Sequence, residues 1–198
     1  GQARELEDQA AFLKRFQAID TTGFPEQEVL NQQLMVRDLQ QDLDNARFEN
    51  YLMPINQMSG PQIGFPQFVS LLRFQTVEDY DHYLARLDQV PTIFDQLIDL
   101  LKEGMSKDLM PPAEQLSLCV GQTEGVAKAK LEESPFAMPV AKFPEGVSAE
   151  DQERIRAAVN AAITDKIVPA YQKLAAFLKD EYVPKGRKDP GVWALPDG

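Results

Sequence analysis

Side chains that could do nucleophilic, acid–base or metal chemistry are few in this chain. His82 is the only histidine and Cys119 is the only cysteine. A Ser-His-Asp arrangement could be built only around His82, and the chain cannot supply a multi-histidine metal site, a cysteine cluster or an intrachain disulfide. His82 lies in EDYDHYLARL, whose charges are typical of a solvent-exposed helix face. We therefore predict no catalytic residue and no metal-ligating residue in this chain.

The motifs that mark other chemistries are missing as well. Carboxylates are numerous, but they alternate with Lys and Arg, as in EDQERIR, which is typical of a solvated helix surface. Neither Gly-x-Gly-x-x-Gly, nor Gly-x-x-x-x-Gly-Lys-Ser/Thr, nor Gly-x-Ser-x-Gly occurs. The sequence therefore gives no support to a phosphate-cradling loop or to a hydrolase elbow.

One stretch does favour a binding site, namely PINQMSGPQIGFP at residues 54–66. Asn56, Gln57 and Ser59 bring hydrogen-bonding side chains into an irregular loop that three prolines hold stiff. The same side chains could instead satisfy backbone groups that the loop leaves free, a common role for Asn and Ser. We take Asn56, Gln57 and Ser59 as candidate binding residues and leave both interpretations open.

The elements around this loop are predicted to be helices. Apolar residues recur at helical spacing, with capping boxes at 76–79 and 148–151, and no stretch alternates as a strand would. Residues 51–68 contain three prolines and two glycines, which predicts neither helix nor central strand there. Pro169 lies inside the longest periodic run and predicts a kink. The periodic runs cover about 4–19, 25–50, 76–88, 90–104, 113–122 with an extension towards 130, and 148–182.

The predicted fold class is therefore all-α. We expect six to eight helices in one bundle-like lobe over residues 1–198, with long Pro-rich loops and a long kinked C-terminal helix. With 198 residues, of which 43% are hydrophobic, the chain is long enough to bury a core.

Charge and hydropathy narrow the choice of partners. The 20 Lys+Arg and 31 Asp+Glu give a net charge of −11, which repels phosphate backbones and argues against nucleic acid. No run of about 18 apolar residues occurs, so no membrane-spanning segment is predicted. If Gly1 is the remnant of a cleaved tag, an export signal could have been removed ahead of it. The compartment stays open between a periplasmic or lipid-anchored location and the cytoplasm.

Six short motifs resemble, in order and spacing, the N-terminal half of a bacterial family known as domain of unknown function 885. The resemblance covers most of the chain from about Asn50 onward and fits the first fifty residues more loosely. The motifs are PINQ at 54–57, FQTVEDY at 74–80, YLARL at 83–87, EGM at 103–105, PAY at 169–171 and LPDG at 195–198.

The resemblance implies a function that this chain does not carry alone. In the family, a later His-Glu-x-x-Pro-Gly-His-His signature makes the proteins look like zinc metallopeptidases, and this chain ends before any such signature. The resemblance thus implies a helical N-terminal lobe that walls a peptide-binding cleft. Its partners would be a C-terminal catalytic half and a peptide substrate, with zinc and catalytic residues supplied by that other half.

The alternative is a stand-alone helical interaction module without enzymatic activity. Under the first interpretation we expect Trp193 and Leu195 to leave an apolar surface where the remaining protein docks.

Overall fold

The computed structural model describes residues 2–196, and these form seven continuous helices with no strand, the last of which consists of two α-helical segments joined by a π-helical turn. The all-α prediction is therefore confirmed. The last helix is the longest, because a π-helical turn at Ile163–Ile167 joins α7 to α8 and a second π-helical turn at Leu178–Tyr182 extends α8. The helices are α1 Gln2–Gln17, α2 Glu26–Asn45, α3 Pro61–Val69, α4 Val77–Leu87, α5 Val90–Ser106, α6 Ala113–Lys128, α7 Ala149–Ala162 and α8 Val168–Phe177.

The chain divides into two compact units, Gly1–Tyr51 and Leu52–Gly198. The first unit consists mainly of α1 packed against α2, and Leu13 is its only buried side chain among the described residues. Large apolar side chains of this helix pair and of the connection between its helices are exposed, namely Phe12, Ile19, Phe24, Leu30, Leu34 and Met35. The helix pair therefore keeps much of its apolar surface outside any core.

The second unit holds the hydrophobic core, with α8 in contact with both α5 and α6. Its largest fully buried side chains are aromatic, and they meet in tilted or edge-to-face pairs such as Phe94 with Tyr171, whose ring centroids are 4.8 Å apart. The Pro-rich stretch that follows α6 is also part of this core: its short 3-10 helix, Pro135–Val140, buries Phe136 and packs against α3 and α7.

Helices α4 and α7 begin at the capping residues that the sequence predicts. At α4 the hydroxyl of Thr76 accepts from the backbone N–H of Asp79, and the Asp79 carboxylate accepts from the backbone N–H of Thr76 at 2.8 Å. The backbone N–H groups of Gln75 and Thr76, which both donate to the Asp79 carboxylate, lower the pKa of Asp79. At α7 the hydroxyl of Ser148 accepts from the Asp151 N–H at 3.1 Å. Both predicted helix starts are confirmed.

Helix α3 corrects the prediction that residues 51–68 contain no helix. Pro61 occupies the first turn, where its missing N–H costs nothing. Pro66 lies inside the helix and cannot donate to the carbonyl of Gln62, four residues earlier. The hydroxyl of Tyr171, on α8, donates to that carbonyl instead, at 3.2 Å. A buried tyrosine thus replaces the hydrogen bond that the proline removes.

A tyrosine hydroxyl also replaces a missing backbone donor in the 3-10 helix at Pro135–Val140. Pro139 cannot donate to the carbonyl of Phe136, three residues earlier, and the hydroxyl of Tyr83 donates to it at 2.8 Å. Burial raises the pKa of the Tyr83 and Tyr171 phenols, which keeps both hydroxyls protonated as donors. Buried tyrosines therefore let two proline-containing helices pack in the core.

Pro169 is accommodated differently. It lies in the first turn of α8, directly after the π-helical turn Ile163–Ile167, and the helix continues past it. The prediction that the helix continues through Pro169 is confirmed, and the wider turn before the proline is the local distortion that its ring requires.

Replacing Tyr182 by Phe is expected to stabilise the protein by about 1 kcal/mol or more. Tyr182 is fully buried and its hydroxyl has no hydrogen-bond partner among the described residues, so the substitution removes an unsatisfied polar group without changing the ring. The matched control is Tyr171→Phe, which orphans the Gln62 carbonyl and should cost about 1–3 kcal/mol. Urea denaturation of both variants checks this, and a loss of stability in Tyr182→Phe would contradict it.

Candidate functional site

The structure places the predicted binding residues in one loop of the second unit, between Leu52 and α3. The Asn56 side-chain oxygen accepts from the backbone N–H groups of Met58 and Ser59 at 2.8 and 2.9 Å. The Asn56 amide donates to the Ser59 hydroxyl at 2.8 Å. Asn56 and Ser59 thus bond to each other and to their own loop.

Two glutamines from helices hold this loop in place. Gln62 of α3 is fully buried and donates from Nε2 to the Asn56 carbonyl at 2.9 Å. Gln122 of α6 donates to the Gln57 carbonyl at 2.9 Å. The side-chain oxygens of Gln57 and Gln62 are buried and have no hydrogen-bond partner among the described residues. The loop and the start of α3 therefore each contain one buried acceptor without a partner among the described residues.

The loop's shape also depends on Gly60. Its φ is 128°, a backbone conformation that residues with a side chain rarely adopt, and an added Cβ would clash with the Gln62 side-chain oxygen. The hydrogen bonds from Gln62 and Gln122 and the backbone conformation of Gly60 thus together fix the shape of the loop. A ligand-binding role for Asn56, Gln57 and Ser59 stays a prediction.

An apolar pocket of about 250 Å³ lies between α3, α4 and α5. Its wall is almost entirely hydrocarbon and aromatic, and the one hydroxyl in it, that of Tyr83, is occupied by the Phe136 carbonyl. The wall therefore favours an apolar group and offers a polar one no partner. Its main apolar residues are Phe65, Phe68, Leu72, Tyr83, Val90 and Phe136.

Two polar side chains line the same pocket. Arg86 and Gln89 are both exposed, and the Arg86 guanidinium carbon lies 5.8 Å from the centre of the Phe68 ring. Neither side chain makes an ion pair or a hydrogen bond to another described residue. The pocket thus combines an apolar interior with a guanidinium and an amide that are free to donate.

Sequence reasoning missed this pocket, although one signal for it was present. Arg86 lies within the motif YLARL, one turn after Tyr83 and beside Leu87, both of which are buried. A cation so close to a buried helix stripe must lie at the edge of the core. The partners of that edge come from α3 and α5, and the sequence does not show which helices meet.

The described C-terminal segment is tied to the start of α6. The guanidinium of Arg187 donates to the carbonyls of Met110 and Gly191, the first at 2.6 Å. Val192 and Trp193 are exposed, and the indole N–H of Trp193 donates to the Asp189 carboxylate at 2.9 Å. Leu195 is half-buried, and Asp197 and Gly198 lie outside the described residues.

The surroundings of the single histidine and the single cysteine do not activate either side chain as a base or a nucleophile. His82 is exposed and lies 3.8 Å from the Glu78 carboxylate, one helical turn away. Cys119 is fully buried, and burial raises the pKa of its thiol to about 11, which disfavours the reactive thiolate. Within residues 2–196, no three His, Cys, Asp or Glu side chains are grouped so that they could hold a metal ion. No helix in that range is both long enough and apolar enough to cross a bilayer.

Comparison with known proteins gives a family and a fold. The chain matches, over residues 1–198, the model of a family described as "Bacterial protein of unknown function (DUF885)". Its fold is similar to the crystal structure of "the putative lipoprotein from Colwellia psychrerythraea", with a TM-score of 0.80 and 17% sequence identity. That match covers 97% of this chain and 35% of the other, so the chain spans about a third of that protein's length. No curated protein matches the chain.

Proposed function

Because this chain belongs to the bacterial family DUF885, we propose that it forms the N-terminal helical lobe of a metal-dependent peptide hydrolase. In this role the chain contributes part of the surface that binds the peptide. Residues outside the chain supply the catalytic groups. The observation that carries the proposal is the apolar pocket lined by Arg86 and Gln89, which suits a peptide better than a sugar or a nucleotide.

The size of the similar protein also supports a role as one lobe. This chain superposes over nearly its full length on about a third of that protein, so its fold recurs as one part of a larger molecule. Clefts between such parts are where ligand sites commonly lie. The zinc that the family resemblance implies does not fit the residues described here, since they contain no grouping that could hold it. We therefore assign no step of catalysis to this chain.

A stand-alone interaction module is the second candidate. The observation that favours it is the strong exposure of Met58, Leu71 and Trp193, large apolar side chains that a protein partner could cover. Reading the gene past the codon for Gly198 separates the two proposals. Continuation into a His-Glu-x-x-Pro-Gly-His-His signature supports the hydrolase lobe, and a stop codon supports the module.

We expect the full-length gene product to cleave peptides and the 198-residue chain to cleave none. Both proteins are incubated with a tryptic digest of casein, and new termini are identified by mass spectrometry with and without a zinc chelator. Elemental analysis after dialysis measures bound zinc in each. Chelator-sensitive cleavage by the full-length product alone is the expected result. Cleavage by the 198-residue chain, or none by a zinc-loaded full-length product, would contradict the proposal.

A further inference from the structure

We propose that the pocket between α3, α4 and α5 binds the C-terminal residue of a peptide. An apolar side chain fills the pocket, and the free carboxylate accepts from Arg86 and Gln89. The inference rests on the proposed function only in that the ligand is a peptide. The two are tested separately below, by binding and by cleavage.

The volume of the pocket limits what can enter it. The pocket between α3, α4 and α5 has a volume of about 250 Å³. Pockets that hold whole drug-sized ligands are larger, about 300–1,000 Å³. The volume of the pocket therefore suits one large side chain such as Leu, Met or Phe better than a whole drug-sized ligand.

The interior selects against polar groups. Tyr83 is the only side chain deep in the wall with a hydroxyl, and that hydroxyl already donates to the Phe136 carbonyl at 2.8 Å. A Ser, Asn or Asp side chain placed inside would lose its hydrogen bonds to water without gaining a partner, which weakens the binding of a polar residue there. An apolar side chain loses nothing there and removes the wall from water.

The polar residues of the pocket select a carboxylate. Arg86 carries a planar set of N–H donors that matches a carboxylate, and it makes no ion pair with another described residue. Gln89 adds an amide donor, also without a partner there. The chain as a whole has a net charge of −11, so a ligand with several negative charges is repelled at long range. A single carboxylate next to an apolar side chain satisfies these conditions, and the C-terminal residue of a peptide provides both.

Calorimetric titration of the 198-residue chain with short peptides tests the proposal. Acetyl-Ala-Ala-Leu with a free carboxylate is expected to bind. Its C-terminal amide should bind about tenfold more weakly or worse, because a hydrogen bond to a charged group contributes about 1.5–3 kcal/mol. Acetyl-Ala-Ala-Ser with a free carboxylate should also bind more weakly, because its side chain is polar.

Two variants and one control test whether the peptide binds in this pocket. Arg86→Gln should remove the preference for the acid over the amide. Ile93→Trp, which fills the pocket from a half-buried position, should abolish binding of the leucine peptide. Arg73→Gln makes the same charge change at an exposed arginine that does not line the pocket, and it should behave as the wild type. Circular dichroism melts confirm that each variant is folded.

Several results would overturn the inference. They are equal affinity for acid and amide, no binding of any peptide, a preference that survives Arg86→Gln, or laurate binding more tightly than the leucine peptide. Cleavage by the full-length product without peptide binding by this chain would reject the inference and leave standing the proposal that the full-length product is a peptide hydrolase. Peptide binding without any cleavage would do the reverse.

Discussion

Replacing Gln62 by Glu is expected to destabilise the protein by about 4 kcal/mol at pH 7 and by much less at pH 4. Gln62 is fully buried, and its Nε2 donates to the Asn56 carbonyl at 2.9 Å. The substitution keeps the shape but replaces that donor with an oxygen. An ionised carboxylate there would face the Asn56 carbonyl with no cation in contact, which is among the costliest changes a core position can undergo.

The pH dependence follows from the protonation of the introduced carboxyl. Burial raises its pKa in the folded state above the unfolded value of about 4.3. The penalty is therefore absent below about pH 4.3, grows as the pH rises towards the folded pKa, and is constant above it. Keeping the group neutral at pH 7 costs about 1.4 kcal/mol per pH unit above 4.3, which limits the penalty to about 4 kcal/mol. The neutral acid can also donate to the Asn56 carbonyl, as the amide does.

Thermal melts between pH 4 and pH 8 measure the effect, which should lower Tm by about 10 °C at neutral pH. The control is Gln67→Glu, which makes the same change on the same helix at an exposed position and should alter Tm little. If Gln62→Glu were as stable as Gln67→Glu at pH 7, the buried glutamine would not be what holds the loop.

The helices with local start signals were predicted from the sequence. Thr76 and Asp79 at the start of α4, and Ser148 at the start of α7, form their caps within one helical turn, so a short window of sequence contains the whole signal. Membership of the DUF885 family, predicted from six motifs in order, is also confirmed.

Helix α3 was missed because its stabilising partner is remote. Pro66 breaks the helical hydrogen bond to the Gln62 carbonyl, and local reasoning then excludes a helix. The replacement donor is Tyr171, which lies 109 residues away in the sequence. No local window contains both residues. Tertiary contacts overrode local propensity here, as they do wherever a buried side chain completes a backbone hydrogen bond.

The candidate sites differ in the same way. Asn56, Gln57 and Ser59 could be proposed as binding residues from the sequence because their types and the flanking prolines form one contiguous stretch. The apolar pocket was not found, because α3, α4 and α5 each supply only part of its wall. A pocket of this kind exists only once the helices pack together. The sequence shows where most of the helices form, but it shows less clearly which helices are neighbours.

Replacing Gly104 by Ala is expected to cost about 1–3 kcal/mol, although alanine is the better helix former. Gly104 is buried in α5, and an added Cβ would lie 2.7 Å from the Leu52 carbonyl oxygen and 3.3 Å from that of Leu109. Both neighbours are backbone atoms, so no side chain can rotate away. Leu52 is itself fully buried and directly precedes the 53–60 loop, so relief of the clash must move the backbone at the loop's start.

The control for this prediction is Gly121→Ala, which should have the opposite sign. Gly121 lies on the exposed side of α6, and an added Cβ there meets no atom within 4 Å. Only helix propensity acts at that position, and it favours alanine by about 1 kcal/mol. Chemical denaturation of the two variants therefore separates close packing from propensity, and a stabilised Gly104→Ala would show that Leu52 can move freely. In that case the start of the 53–60 loop is not fixed by α5, and its rigidity must come from Gln62 and Gln122 alone.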